Sequence, residues 1–139
     1  MKCLSASEIL QSKPPGPERV ELPELDGFVY VRLLSGRELD QYQSAMLDAE
    51  GNFDPDRAVG CRARLVALCA VDESGTQLFG VREALAIDQA PGLGPLLDRI
   101  YEVAQRVNRM RKEDAKSAEK NSGHGRNGET GSDSPGTSA

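Results

Sequence analysis

The stretch RVELPELDGFVYVRLLSGRE (residues 19–38) carries two periodicities, and the switch between them decides the fold. Up to Leu33, apolar and polar side chains alternate on both sides of Asp26-Gly27, the pattern of a β-hairpin with one buried face. That face holds Val20, Leu22, Val29, Val31 and Leu33. A two-residue Asp-Gly loop sets Leu22 opposite Val31 but puts Pro23 where the ladder needs an amide. A wider loop over residues 23–28, with Leu22 opposite Val29, removes that conflict. Both registers keep the same face inward. Ser35-Gly36-Arg37-Glu38 then reads as a capping box. Leu39, Tyr42 and Met46 follow at helical spacing with Ala45 and Ala49 beside them, an amphipathic helix ending near Gly51.

Downstream, Asp54-Pro55 supplies an N-cap and a first-turn proline, which predicts a central helix over residues 54–71. Val59, Ala63, Val66 and Ala70 form one apolar stripe of that helix, and Cys61, Leu65 and Leu68 the next. Asp72-Glu73-Ser74-Gly75 turns the chain, and residues 76–79 return as a brief strand, a possible short second hairpin. Residues 81–87 suggest a short helix. Pro95 opens the last one, where Leu96, Ile100, Val103, Val107 and Met110 keep helical spacing, flanked by Leu97, Tyr101 and Ala104.

Upstream, ASEILQS can form a short helix before KPPGP stops it. The expected organisation is therefore a short helix and Pro-rich linker over residues 1–18, one folded domain over 19–110, and a polar tail over 111–139. The class is α+β, mainly helical, with an N-terminal β-hairpin and three to four core helices. The tail has five basic and five acidic residues and almost no apolar ones. Such a segment cannot offset its ordering entropy, which predicts disorder.

Composition narrows the function. The 139 residues carry a formal charge of −5, with 38% hydrophobic and 4% aromatic residues. An acidic chain is a poor match for duplex nucleic acid or an anionic membrane, so neither is an expected partner. There is no run of the ~18 apolar residues a membrane span requires. MKCLSASEIL lacks the apolar core of a secretory signal, and three cysteines fit a reducing compartment, so a cytoplasmic location is expected.

Chemistry finds little footing. Cys61 and Cys69, eight residues apart on one helix, lie ~12 Å apart along its axis and cannot share a metal. Both fall on apolar faces, where cysteine acts as a small hydrophobe. His124, the single histidine, falls in the tail, so no rigidly held imidazole is available for a catalytic triad. DAEGNFDPD (residues 48–56) is the densest acidic patch, yet no register places glycine and carboxylate as a calcium loop needs. Gly92-Leu93-Gly94 follows no strand and precedes a proline, unlike a phosphate-binding turn. No catalytic residue, metal or cofactor is expected; a protein-binding module is.

The order of segments adds a resemblance. SASEIL, RVELPELDGFVYVRLLSGRELDQYQ, RARLVALCAVDESGTQLF and LLDRIYEVAQRVNRM, in that order, resemble the tail assembly chaperones of long-tailed (siphovirus-type) double-stranded DNA phages and prophages. The resemblance covers most of residues 5–110. APGLGP, with two prolines and two glycines, is a departure from the resemblance, standing where a more helical approach to the last helix is expected.

The resemblance implies a non-catalytic protein of the host bacterial cytoplasm, absent from the mature virion. It would keep the tape-measure protein soluble, self-associate along it, and help recruit tail-tube protein. It also implies that a longer product of ribosomal slippage can carry the tube-recruiting segment. An apolar strip exposed on the chaperone would cover the partner's helical faces, with Leu97 and Tyr101 as candidates that equally fit the core. A generic acidic adaptor and a carboxylate enzyme around residues 48–56 are the competing readings.

Overall fold

The computed structural model describes residues 1–110. The elements run α1 (Ala6–Leu10), β1 (Glu18–Leu22), β2 (Gly27–Val31), α2 (Gly36–Ser44), α3 (Cys61–Cys69), β3 (Ala70–Val71), α4 (Val81–Gln89) and α5 (Gly94–Val107). The three strands form an antiparallel sheet in the order β1-β2-β3. The mainly helical α+β class with an N-terminal hairpin is thus observed. The disorder expected over 111–139 concerns residues outside those described.

The hairpin adopts neither anticipated register. Val20 pairs with Val29 and Leu22 with Gly27, around a four-residue loop. Pro23 opens a 3-10 turn, Pro23–Leu25, in which the Asp26 amide donates to Pro23 O at 3.1 Å. Proline's fixed φ suits that first position, and Asp26 takes the left-handed conformation, φ 52°, which aspartate tolerates better than most residues. The slip amounts to two residues, so side-chain parity survives: Val20, Leu22 and Val31 are buried and Val29 packs beside them.

The central helix is shorter than its pattern implied. Residues 54–60 form turns instead of helix, for two reasons. Gly60 is left-handed at φ 81°, and the Arg64 guanidinium donates to Arg57 O and Val59 O, both at 3.0 Å, holding those carbonyls away from a helical ladder. Val59, expected on the buried stripe, is consequently 73% exposed. At the other end Ala70 and Val71 leave the helix to pair with Val31 and Tyr30. The second hairpin is present in minimal form, with a Val71–Gln77 bridge and the Asp72 carboxylate accepting from the Ser74 and Thr76 amides at 2.8 and 3.0 Å. Helix α2 also stops early, at Ser44 rather than near Gly51. The loop after it is closed by a Leu47–Phe53 bridge.

Helix α3 is the hub, burying Ala63, Leu65, Val66 and Cys69 around its circumference. Helices α4 and α5 pack against it, and the sheet, packed on α5, closes the same core cluster with its inner face. Helix α5 contributes Leu97, Ile100 and Ala104, one step round from the Leu96-Ile100-Val103 line expected from spacing. Each large aliphatic chain in this cluster contributes roughly 1.5–3 kcal/mol by burial. Arg99 and Arg106, seven residues apart on α5, make bidentate ion pairs with Glu24 in the hairpin turn and Glu18 at the start of β1. Arg62 on α3 pairs with Asp98 on α5.

Two polar junctions set how α2 leaves the sheet. Glu38 closes the anticipated capping box, accepting from the Ser35 amide at 2.9 Å, and also takes a bidentate pair from Arg32 at 3.1 and 2.9 Å. Arg32, then the Ser35 amide, hold its carboxyl down at about 2. Asn108, just past α5, accepts from the Leu34 amide at 2.8 Å and donates to Ala104 O at 3.0 Å.

Candidate interaction surfaces

The acidic stretch over residues 48–56 serves backbone turns. Asp48 Oδ1 accepts from the Glu50 and Asn52 amides at 3.0 and 2.9 Å, and Asp54 Oδ1 from Asp56 at 3.0 Å. Among the described residues no group of three or more His, Cys, Asp or Glu could hold a metal. The two cysteines stand at opposite ends of α3: Cys61 is half-buried, and Cys69 is fully buried. Burial pushes the Cys69 thiol up to about 11, leaving it protonated and a poor nucleophile. Tyr42, buried beneath α3, donates to Cys61 O at 3.0 Å, and burial raises its phenol above the usual range.

Leu97 and Tyr101, the sequence candidates for partner contact, lie on the inner side of α5. Leu97 is 5% exposed within the core, and Tyr101 packs against that core with its hydroxyl accepting from Gln105 at 3.0 Å. Most of the exposed large apolar side chains lie elsewhere, in three places.

The first is the outer face of the sheet. Phe28 and Tyr30, alternate residues on β2, meet edge to face with ring centroids 5.6 Å apart, and the Arg19 guanidinium lies 3.8 Å above the Phe28 ring. Together with Leu78, 40% exposed, they border a shallow groove of about 150 Å³ whose remaining rim includes Asp72 and Glu73. The same alternation that identified the inner face placed Phe28 and Tyr30 on the outer one.

The second is the outer side of α4. Val81 and Leu85 are 81% and 57% exposed and stand one turn apart. Asp88 follows on the same side, with its carboxylate and the Arg64 guanidinium both close to Gly60.

The third is the N-terminal arm. Residues 1–17 are all exposed. Helix α1 forms regardless, because Ser5 and Glu8 make a full capping box: the Ser5 amide donates to Glu8 at 3.0 Å and the Glu8 amide to Ser5 Oγ at 3.2 Å. Leu4 and Ile9 occupy the two positions of a hydrophobic staple. Leu-Ser-x-x-Glu-Ile here repeats Leu-Ser-x-x-Glu-Leu at α2, a match visible in the sequence itself.

Among the described residues no helix is long and apolar enough to cross a membrane. No protein-family model matches the chain, and no curated protein matches it. Among solved structures, the tail assembly chaperone of bacteriophage HK97 superposes with a TM-score of 0.50 at 20% identity, over 66% of this chain and 83% of that one. At that identity the likeness is one of architecture: this chain shares the fold of a phage tail assembly chaperone.

Proposed function

We propose that the protein is a tail assembly chaperone that binds and solubilises a tape-measure protein during morphogenesis of a long phage tail. The observation that carries this reading is the shared fold with the HK97 chaperone, supported by the order of sequence segments that points to the same family. The exposed apolar surfaces fit the task better than a catalytic one, since a chaperone must cover its client's apolar helical faces.

In this reading the client's amphipathic segments lie across the outer face of the sheet. Phe28, Tyr30 and Leu78 meet their apolar side, while Asp72 and Glu73 favour clients with lysine or arginine beside it. Leu97 and Tyr101 then contribute by holding α5 in place beneath. The net negative charge keeps the coated complex soluble. Tail-tube recruitment, directly or through a longer slippage product, and self-association along the client complete the role. The work belongs to the host bacterial cytoplasm, and the protein is absent from the finished virion.

Co-expression with a tape-measure protein from the same gene neighbourhood tests the reading. The client's soluble yield rises with the wild-type chain and falls back with Phe28→Asp/Leu78→Asp, which alters exposed side chains only. A yield unchanged by the wild-type chain overturns it and favours a generic acidic adaptor.

A further inference from the structure

We propose that the free protein closes the open edge of its sheet by pairing β1 with β1 of a second copy, antiparallel and about a two-fold axis at Val20. The product is a closed dimer in which each edge consumes the other, unlike a run of copies along a client. Its test needs no client protein, so it and the functional reading above can fail separately.

The parity of the ladder identifies the edge. The Arg32 amide donates to Cys69 O at 3.0 Å, so Arg32, and by alternation Tyr30 and Phe28, turn their backbone groups toward the β3 side. Gly27, Val29 and Val31 therefore face β1, opposite Leu22, Val20 and Glu18. Arg19 and Glu21 are left with their amides and carbonyls turned outward. Among the described residues, no backbone group from outside the sheet bonds to those four. An unpaired row of this kind is a template for another strand.

The sequence of β1 selects the strand that fits. The next outward positions are Pro17 and Pro23, which have no N–H, so the usable edge ends after Arg19 and Glu21. Pairing about Val20 sets Arg19 opposite Glu21 of the second copy and Glu21 opposite its Arg19, satisfying every outward group with opposite charges facing. Moving the centre by one residue sets Arg19 opposite Arg19, or Glu21 opposite Glu21, and brings a proline against the other charged residue. Both side chains are exposed and already lie 3.5 Å apart within one strand. The flanking Glu18 and Glu24 are paired with Arg106 and Arg99, so they add no unmatched charge. A two-fold contact of this kind is self-complementary. The joined sheet has six strands and sets two Phe28–Tyr30 pairs on one outer face, which in the functional reading offers a client two sites.

Sedimentation equilibrium on purified full-length protein tests this, with circular dichroism to verify folding. Wild type passes from monomer to dimer as concentration rises. Arg19→Glu and Glu21→Arg each set like charges opposite one another and weaken association at least ~tenfold. Glu21→Pro does the same by removing an outward amide that the β1–β2 ladder does not use. An equimolar mixture of Arg19→Glu with Glu21→Arg restores the dimer, because each edge then meets its opposite charge. A wild type that stays monomeric up to ~1 mM overturns the proposal. So does a folded Glu21→Pro variant that associates like wild type, or a mixture no more associated than its components.

Discussion

Replacing Asn108 with alanine tests the junction between the last helix and the sheet. The side chain accepts from the Leu34 amide at 2.8 Å, donates to Ala104 O at 3.0 Å, and reaches Arg32 O at 3.5 Å and Cys69 Sγ at 3.7 Å. The two short bonds contribute about 1 kcal/mol each, and a half-buried Leu34 amide left without its acceptor adds up to ~1 kcal/mol more. Water reaches this partly buried site, so the expected loss is ~2 kcal/mol, not the larger figure for a fully desolvated group. Urea unfolding followed by circular dichroism reads it as a lower midpoint at unchanged slope. Asn108→Asp keeps the acceptor but sets a carboxylate against the Ala104 and Arg32 carbonyls. It is therefore also destabilised near neutrality, and it regains part of the loss when acid protonates the new group. An Asn108→Ala variant within ~0.5 kcal/mol of wild type would refute the reasoning, since surface changes away from such junctions fall in that range.

Gly60→Ala forces a side chain into φ 81° with the new Cβ 3.4 Å from Asp88 Oδ2, and thermal melting should show a loss of ~1–2 kcal/mol. Glu38, whose folded pKa is depressed to about 2, contributes stability that is present above its unfolded value near 4.5 and lost as pH falls toward about 2. Glu38→Gln should remove that acid-dependent part, ~1 kcal/mol after allowance for solvent screening, when urea midpoints are compared across this window. Thiol labelling should modify the exposed Cys3 at once and the buried Cys69 only at the rate of unfolding; prompt labelling of Cys69 would contradict its place in the core.

The strand faces and the capping box at Ser35 were legible because each rests on local chemistry: two-residue alternation fixes parity even when the register slips, and Ser-x-x-Glu satisfies its own amides. The hairpin register was not, since it turned on Pro23 preferring a 3-10 turn to a ladder position. Residues 54–60 read as helix from the Asp54-Pro55 cap and the stripe through Val59, but Gly60's left-handed backbone and the reach of Arg64 to two carbonyls are settled by tertiary contacts. Ala70 and Val71 fit a helix and a strand equally well, and an open edge on β2 decided between them. The same limit governs the interaction surfaces. Spacing places Leu97 and Tyr101 on an apolar face, but only the packed domain shows that this face is filled, while Phe28, Leu85 and Ile9 are left open.

The most direct test of the chaperone account is to dilute a denatured tape-measure protein into buffer with and without the purified chain, following turbidity and then resolving the products by size. The account requires suppressed turbidity and a soluble complex containing both proteins, with less of each when Phe28→Asp/Leu78→Asp replaces wild type. Equal turbidity with and without the chain, and no complex, would contradict it.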